Sequence, residues 1–344
     1  MPSKLETASR IAQSCRLSTI YGAVRSVLIK DLRVLAYHRV LADFDEVKFP
    51  FDLELISARA DEFDWQMAYV AKNFQTVSCA EVAEAIAGGK PLPKRALMVT
   101  FDDGFCDNHD VVFPILRRHQ VKALFFLSTG YIGTRQLFWF DWLVHLLLHT
   151  TVPRIRLDAL DTTLEINGCW AHRRRVAMGL LRQLKRTSES KRLQVMEQLE
   201  LMADVSSASV PVDQSIAMTW NDIRTMSAAG QEFGSHTVTH PILSRIADPQ
   251  HLQLELDVSK TTIERETGTP VLSLAYPVGS SDAVSAEVLD ATAQAGYQFA
   301  FTYQSGTNPR LADQRFGLKR IRIERYTTRN MFITALEMPE IFLR

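Results

Sequence analysis

Ala96-Leu97-Met98-Val99-Thr100-Phe101-Asp102-Asp103-Gly104 joins two kinds of chemistry that rarely sit side by side. The run from Ala96 to Val99 is apolar enough to be a buried strand. It ends in Thr100, Phe101 and two adjacent carboxylates, and each carboxylate makes the other costlier to ionise unless a cation stands between them. A glycine follows, where the chain can turn sharply and let both side chains face one pocket in spite of strand alternation. Taken alone, the stretch fits a strand-to-helix turn with an aspartate cap as well as it fits a metal or acid–base site.

The rest of the chain supplies the context. Seven segments read as strands: 33–38, 96–101, 122–128, 231–235, 271–275, 297–302 and 318–323. Helical patterns at 60–74, 79–87, 110–119, 221–229 and 250–267 separate most of them. Repeated strand–helix units predict an α/β fold with a parallel sheet, open or closed into a barrel. Chemistry in such folds collects at the C-terminal ends of the strands. His38, Asp102 and Asp103, the Ser235–His240 region and Tyr276-Pro277 all fall there. Residues 135–218 interrupt the alternation with aromatic and then strongly charged helical sequence, including a long helical stretch over 171–203. They predict a largely helical insertion, a cover for the site, in which Arg173-Arg174-Arg175 is a solvated helix face.

Composition narrows the classes. Lys plus Arg equals Asp plus Glu, at 39 each, so no overall field favours nucleic acid. Cys15, Cys79, Cys106 and Cys169 are scattered without metal-type spacing and read as free or buried thiols of a reducing compartment. No apolar run is long enough for a transmembrane helix, and no secretory leader is evident, so a cytoplasmic location is expected. Residues 5–30 could form an amphipathic helix packed on the domain; the minority reading is peripheral contact with a membrane surface.

Ser235-His236-Thr237-Val238-Thr239-His240-Pro241 carries the second half of the site. Histidines at i and i+4 would share one side of a short helical turn, a spacing that suits one divalent ion. Adding one aspartate gives a His-His-Asp set with positions left for water and substrate, as a catalytic metal requires.

Thr-Phe-Asp-Asp-Gly at 100–104 and His-Thr-Val-Thr-His at 236–240 resemble the first two motifs of the polysaccharide deacetylase family, also called the NodB-homology domain or carbohydrate esterase family 4. The resemblance spans about residues 33–325 and implies a distorted (β/α)7-type barrel. It implies a metal-dependent hydrolase that removes an N-acetyl group from an amino sugar, in a glycan or a carrier-linked precursor of a surface polysaccharide. By resemblance Asp103, His236 and His240 are the metal ligands, with Zn2+ the expected ion, and Asp102 is the catalytic base. The domain plan that follows is an N-terminal helical extension over 1–30, a catalytic domain over 31–330 with the insertion at about 135–218, and a C-terminal tail over 331–344.

Two departures from the family pattern matter. The arginine that usually opens the third motif is replaced by Ala275, in Ala275-Tyr276-Pro277-Val278-Gly279, so a replacement cation for Asp102 is sought in Arg320 or Arg322 on the last strand, with Arg320 preferred and a structural salt bridge the alternative for either. No histidine follows His251, so the usual late general acid is missing. His38, in an Ala-Tyr-His-Arg-Val segment like that of a subgroup acting on exopolysaccharide, is the candidate acid. Tyr276, Pro277 and Val278 are expected at the substrate, with a backbone N–H near Val278 facing the oxyanion. Trp139, Phe140 and Trp142 are candidate sugar platforms, or core. A deformylase or other C–N hydrolase on the same scaffold, and a glycan-binding pseudoenzyme, are the alternatives.

Overall fold

The computed structural model describes residues 17–206 and 217–342, together with Glu6 and Ser9. Seven parallel strands form its centre: β1 (Arg33–Tyr37), β2 (Ala96–Phe101), β3 (Ala123–Leu127), β4 (Glu232–Ser235), β5 (Ser273–Ala275), β6 (Phe299–Ser305) and β7 (Leu318–Arg322). Each pairs with the next, and β7 pairs back onto β1, which closes the barrel. Every residue of β1, β2 and β3 is buried, which explains their continuous apolar runs. The barrel is uneven. β4 and β5 meet at the single pair Leu274 and Ser235, and β6 shifts register against β7 between Phe301 and Ser305.

Helices Ala60–Asn73, Cys79–Ile86, Phe113–His119, Trp220–Ala228 and Pro249–Thr267 occupy the positions their apolar spacing predicts. Capping boxes start two of them, Ser78 with Glu81 and Thr219 with Asp222. Helix Ala286–Gln294, between β5 and β6, was not expected from the sequence.

Both ends of the described chain differ from the simple plan. The helix expected over 5–30 is present as Leu17–Leu28, and the part before Leu17, with Cys15, lies outside the described residues apart from Glu6 and Ser9. Arg25 ties it down through Asp31 (2.9 and 2.8 Å) and Glu340 (2.7 Å). Residues 331–342 are not a loose tail. Helix Arg329–Glu337 buries Phe332 and Leu336, and Phe332 meets the rings of Trp65 and Tyr69 at 6.0 and 6.1 Å. Apolar burial on this scale is what keeps a chain end ordered.

Among its described residues the insertion is mainly helical, with one strand pair. Trp139–His149, Trp170–Leu184 and Glu189–Met202 are helices, and Arg154–Leu157 pairs antiparallel with Thr162–Glu165. The single helix expected over 171–203 is two, because Ser188 accepts from Lys191 N and starts a new helix there. Two side chains of the insertion, Asp141 and Arg174, lock it to the loop before residue 55. Asp52 N donates to Asp141 Oδ1 (3.0 Å), and Arg174 donates to the carbonyls of Phe51 (2.9 Å) and Phe49.

Candidate active site

β2 delivers both aspartates to the C-terminal mouth of the barrel. Asp103 takes φ 73°, in the left-handed region, and Gly104 follows at φ 87°. The reversal expected at the glycine therefore begins at Asp103 itself, a residue type that tolerates this conformation. It brings the two carboxylates to one cavity. Gly104 is needed for another reason too: a Cβ there would stand 2.9 Å from Leu127 Cδ2 and 3.1 Å from Ile132 Cδ1.

The histidines do not share a helical turn. Residues 236–240 form an irregular loop in which Thr237 (φ 68°) and His240 (φ 57°) are both left-handed. Hydrogen bonds specify this loop. Ser235 Oγ accepts from Thr237 N (3.1 Å), and Thr237 Oγ1 accepts from His240 N (3.1 Å). Glu255, 4% exposed on helix Pro249–Thr267, accepts from Val238 N (2.7 Å), Thr239 N (3.0 Å) and Thr239 Oγ1 (2.7 Å). His236 Nδ1 donates to the carbonyl of Ala275 (2.7 Å), which fixes its tautomer and leaves Nε2 free to ligate. The backbone of the residue that displaced the family's arginine thus orients a histidine.

His236 Nε2 and His240 Nε2 lie 3.4 and 3.3 Å from Asp103 Oδ1. The three ligand atoms all fall within 4.8 Å of one another. Protein atoms holding a tetrahedral ion at ~2.0–2.1 Å stand about 3.4 Å apart, so the spacing fits. Asp103 is 1% exposed, yet neither of its oxygens has a hydrogen-bond partner among the described residues. A buried carboxylate with unmet oxygens, aimed at two imidazole nitrogens, is the arrangement a cation satisfies.

Beside it, Asp102 is held by Arg320. Nη1 donates to Oδ1 (2.7 Å) and Nη2 to Oδ2 (2.8 Å), a bidentate pair with the guanidinium fully buried. Arg320 also donates to the carbonyl of Thr302 (2.9 Å) and to Thr100 Oγ1 (3.3 Å), and its guanidinium lies 5.2 Å from the Tyr303 ring centroid. Burial pushes the Asp102 carboxyl up, but Arg320, with His236 and His38, outweighs it and holds the group below its ordinary pKa. Arg322, the other candidate, makes no such pair. His38 Nε2 is 3.8 Å from Asp102 Oδ2, and its ring meets Tyr303 edge-on at 5.4 Å. Burial pulls the His38 pKa down. Its strand end is pinned by Asn108 Nδ2, which donates to the His38 carbonyl (3.0 Å), and by Arg39 Nε, which donates to Asp107 (2.9 Å).

These groups open onto a cavity of about 320 Å3. Tyr276 and Val278 line it and Pro277 does not. Tyr276 is buried with its hydroxyl donating to the Phe316 carbonyl (3.1 Å), so it presents its ring and no hydroxyl. Val278 is left-handed (φ 64°), and its N–H has no hydrogen-bond partner among the described residues. Of the three aromatic candidates only Phe140 reaches the cavity. Trp139 Nε1 donates to the His240 carbonyl (3.2 Å) as a buried support, and Trp142 donates to Glu200 (2.8 Å) elsewhere. Cys106 is not in the cavity wall. The sequence reading missed Thr100, Asp52, Tyr303, Lys185 and Glu255. Thr100 stands next to the aspartates and was readable as part of the motif; the others come from distant segments with no motif of their own.

The sequence pattern of the polysaccharide deacetylase family matches residues 89–158 and 190–300, over half of the chain, and the chain belongs to that family. Among curated relatives, the poly-beta-1,6-N-acetyl-D-glucosamine N-deacetylase of Escherichia coli K12 is 38% identical over 84 residues, 24% of this chain and 12% of that protein. The putative polysaccharide deacetylase YxkH of Bacillus subtilis 168 is 30% identical over 73 residues, 21% of this chain and 26% of that protein. Solved structures agree on the fold. The Streptococcus pyogenes deacetylase PplD in complex with acetate superposes with a TM-score of 0.60 at 18% identity, covering 90% of this chain and 99% of that one. IcaB from Ammonifex degensii gives 0.56 at 18% identity, covering 89% and 96%.

Proposed function

We propose that the chain is a metal-dependent hydrolase that removes the acetyl group from an N-acetylated amino sugar of a surface-glycan or carrier-linked precursor. The observation that carries this reading is the Asp103–His236–His240 group with its unmet carboxylate, set beside a separately held Asp102. A divalent cation held by these three residues, Zn2+ by its preference for such donors, would lower the pKa of a water toward ~7 and polarise the amide carbonyl.

The remaining roles fall to the protein. Asp102 is the base that takes a proton from the attacking water, and its low pKa keeps it ionised and ready. Arg320 aims that carboxylate and replaces the arginine lost at Ala275. The free N–H of Val278 donates to the oxygen that gains charge as the carbonyl becomes tetrahedral. His38 hands a proton to the departing amine; its depressed pKa makes it a willing donor once charged. Acetate and a free amino group are the products. Phe140 and the Tyr276 ring give the sugar apolar walls.

A mass-spectrometric screen for acyl loss from N-acetylglucosamine oligosaccharides, sugar nucleotides and lipid-linked sugars, with and without added zinc, tests this. Loss of 42 mass units, about that of a ketene equivalent, from any acetylated amino sugar supports the reading. Loss confined to formyl or non-sugar amides would move the assignment to another C–N hydrolase. Glycan binding without turnover on any acyl donor would make the chain a pseudoenzyme.

A further inference from the structure

The cavity carries cations that the reaction does not use. Lys185 lines it from the C-terminal end of helix Trp170–Leu184, and Arg322 lines it from the end of β7. Neither side chain makes a hydrogen bond or an ion pair with any described residue, whereas Arg320 is consumed by Asp102. Most of the cavity's carboxylates are occupied too. Asp102 faces Arg320, Asp103 faces the histidines, and Glu54 pairs with Arg325 (3.1 Å). Asp52 is 2% exposed and accepts from Glu54 N (3.0 Å). Burial pushes the Asp52 carboxyl up and outweighs the charge of Lys185 that it feels, and Glu324 is the remaining carboxylate of the wall.

Lys185 also has a telling place in the chain. It falls in residues 159–189, the gap between the two segments that the family pattern matches. The insertion therefore adds to the cavity a charge from a segment that the family pattern does not match. A lysine at a helix C-terminus complements the helix dipole wherever it points.

Building on the deacetylase reading, we propose that Lys185 and Arg322 form an anion-recognising edge of the cavity. The substrate is then an acetylated amino sugar with a negatively charged substituent, phosphate or carboxylate, next to the amide that is cut. Arg322 supplies planar donors and lies 5.7 Å from the Tyr303 ring centroid, which limits the positions it samples. Lys185 supplies a compact point charge from the inserted segment.

The experiment compares KM for N-acetylglucosamine 1-phosphate, a glucuronate–N-acetylglucosamine disaccharide and neutral di-N-acetylchitobiose, using the full chain loaded with zinc. The wild-type enzyme should prefer one anionic substrate over the neutral one by about tenfold, as expected of a charge-assisted contact. Which anionic arm shows the preference separates phosphate from carboxylate. Lys185→Gln should collapse the ratio toward one, and Arg322→Gln gives the same reading should the first variant fail to fold. Equal KM values in the wild type, or an unchanged ratio in both variants, overturn the proposal. Should no substrate lose its acetyl group, the deacetylase reading fails instead. Calorimetric titration of N-acetylglucosamine 1-phosphate then still decides: binding lost on Lys185→Gln supports the anion edge, and absent or unaltered binding refutes it.

Discussion

A carboxyl group with 2% exposure would ordinarily hold its proton, and Asp102 does not because Arg320 meets both of its oxygens. Removing that partner should cost twice. Arg320→Gln leaves a buried charge uncompensated, at ~3–5 kcal/mol of stability by the measure of broken buried pairs. Arg320→Lys keeps the charge but loses the fork, so the Asp102 pKa rises toward its ordinary value. Activity is lost as pH falls through the pKa of the base, so the acidic limb of the kcat/KM profile should move to higher pH in the lysine variant. An unmoved limb would mean that Asp102 is not the base. His38→Gln should lower kcat by ~100-fold or more if it is the acid, with little change in KM, read by steady-state kinetics. Much of this level was legible in the sequence: the two aspartates and two histidines stand in short motifs, and the loss of arginine at Ala275 pointed to the last strand. Lys185, Tyr303 and Glu255 were illegible, because each reaches the site from a segment whose local pattern is ordinary.

Among the elements, the loop from His236 to His240 shows why spacing alone misleads. An i, i+4 pair suggests a turn of helix, yet Pro241 and three hydrogen bonds to Glu255 hold an irregular loop with two left-handed residues. Glu255→Ala should therefore weaken zinc binding by ~10–100-fold without touching a ligand, measured by competition with a chromophoric chelator. Wild-type affinity in the variant would show that the loop holds itself. The insertion makes a second case. Asp141 is fully buried, burial pushes its carboxyl up to about 7, and its Oδ1 accepts from Asp52 N. A raised carboxyl binds its proton more tightly in the folded state, so this group's stability contribution is lost as pH rises from the unfolded value of 3.8 to about 7 and is flat above. Asp141→Asn keeps the acceptor and removes the titration. Between about pH 5 and about pH 8 the wild type should lose at least ~1 kcal/mol relative to the variant in urea unfolding. Parallel pH dependence would place the proton elsewhere.

Over the whole molecule, each of the seven strands was found within three residues of the segment predicted for it; β1, β2, β3 and β5 are buried throughout, while β4, β6 and β7 keep enough buried apolar positions to be read beside their polar ones. Closure into a barrel was not readable from those runs. It depends on β1 pairing with both β2 and β7, a contact between residues almost three hundred positions apart. That closure is what lets Arg320, from the last barrel strand, reach Asp102 at the end of the second. Helix Arg329–Glu337 was likewise hidden by its polar start, though Phe332 and Leu336 are buried and Glu337 pairs with Arg95. The chain's insertion and its barrel thus meet at one cavity, and the central claim is that this cavity cuts an N-acetyl amide with the help of a bound metal. The direct measurement is acetate release from N-acetylglucosamine oligosaccharides and their phosphorylated or carrier-linked forms by the full chain, before and after chelation and after zinc is restored, beside Asp102→Asn. Release that vanishes on chelation, returns with zinc and falls at least ~1,000-fold in a variant that binds zinc as tightly as the wild type is the result predicted. Release untouched by chelation, or no acetyl loss from any of these substrates with zinc bound, would contradict it.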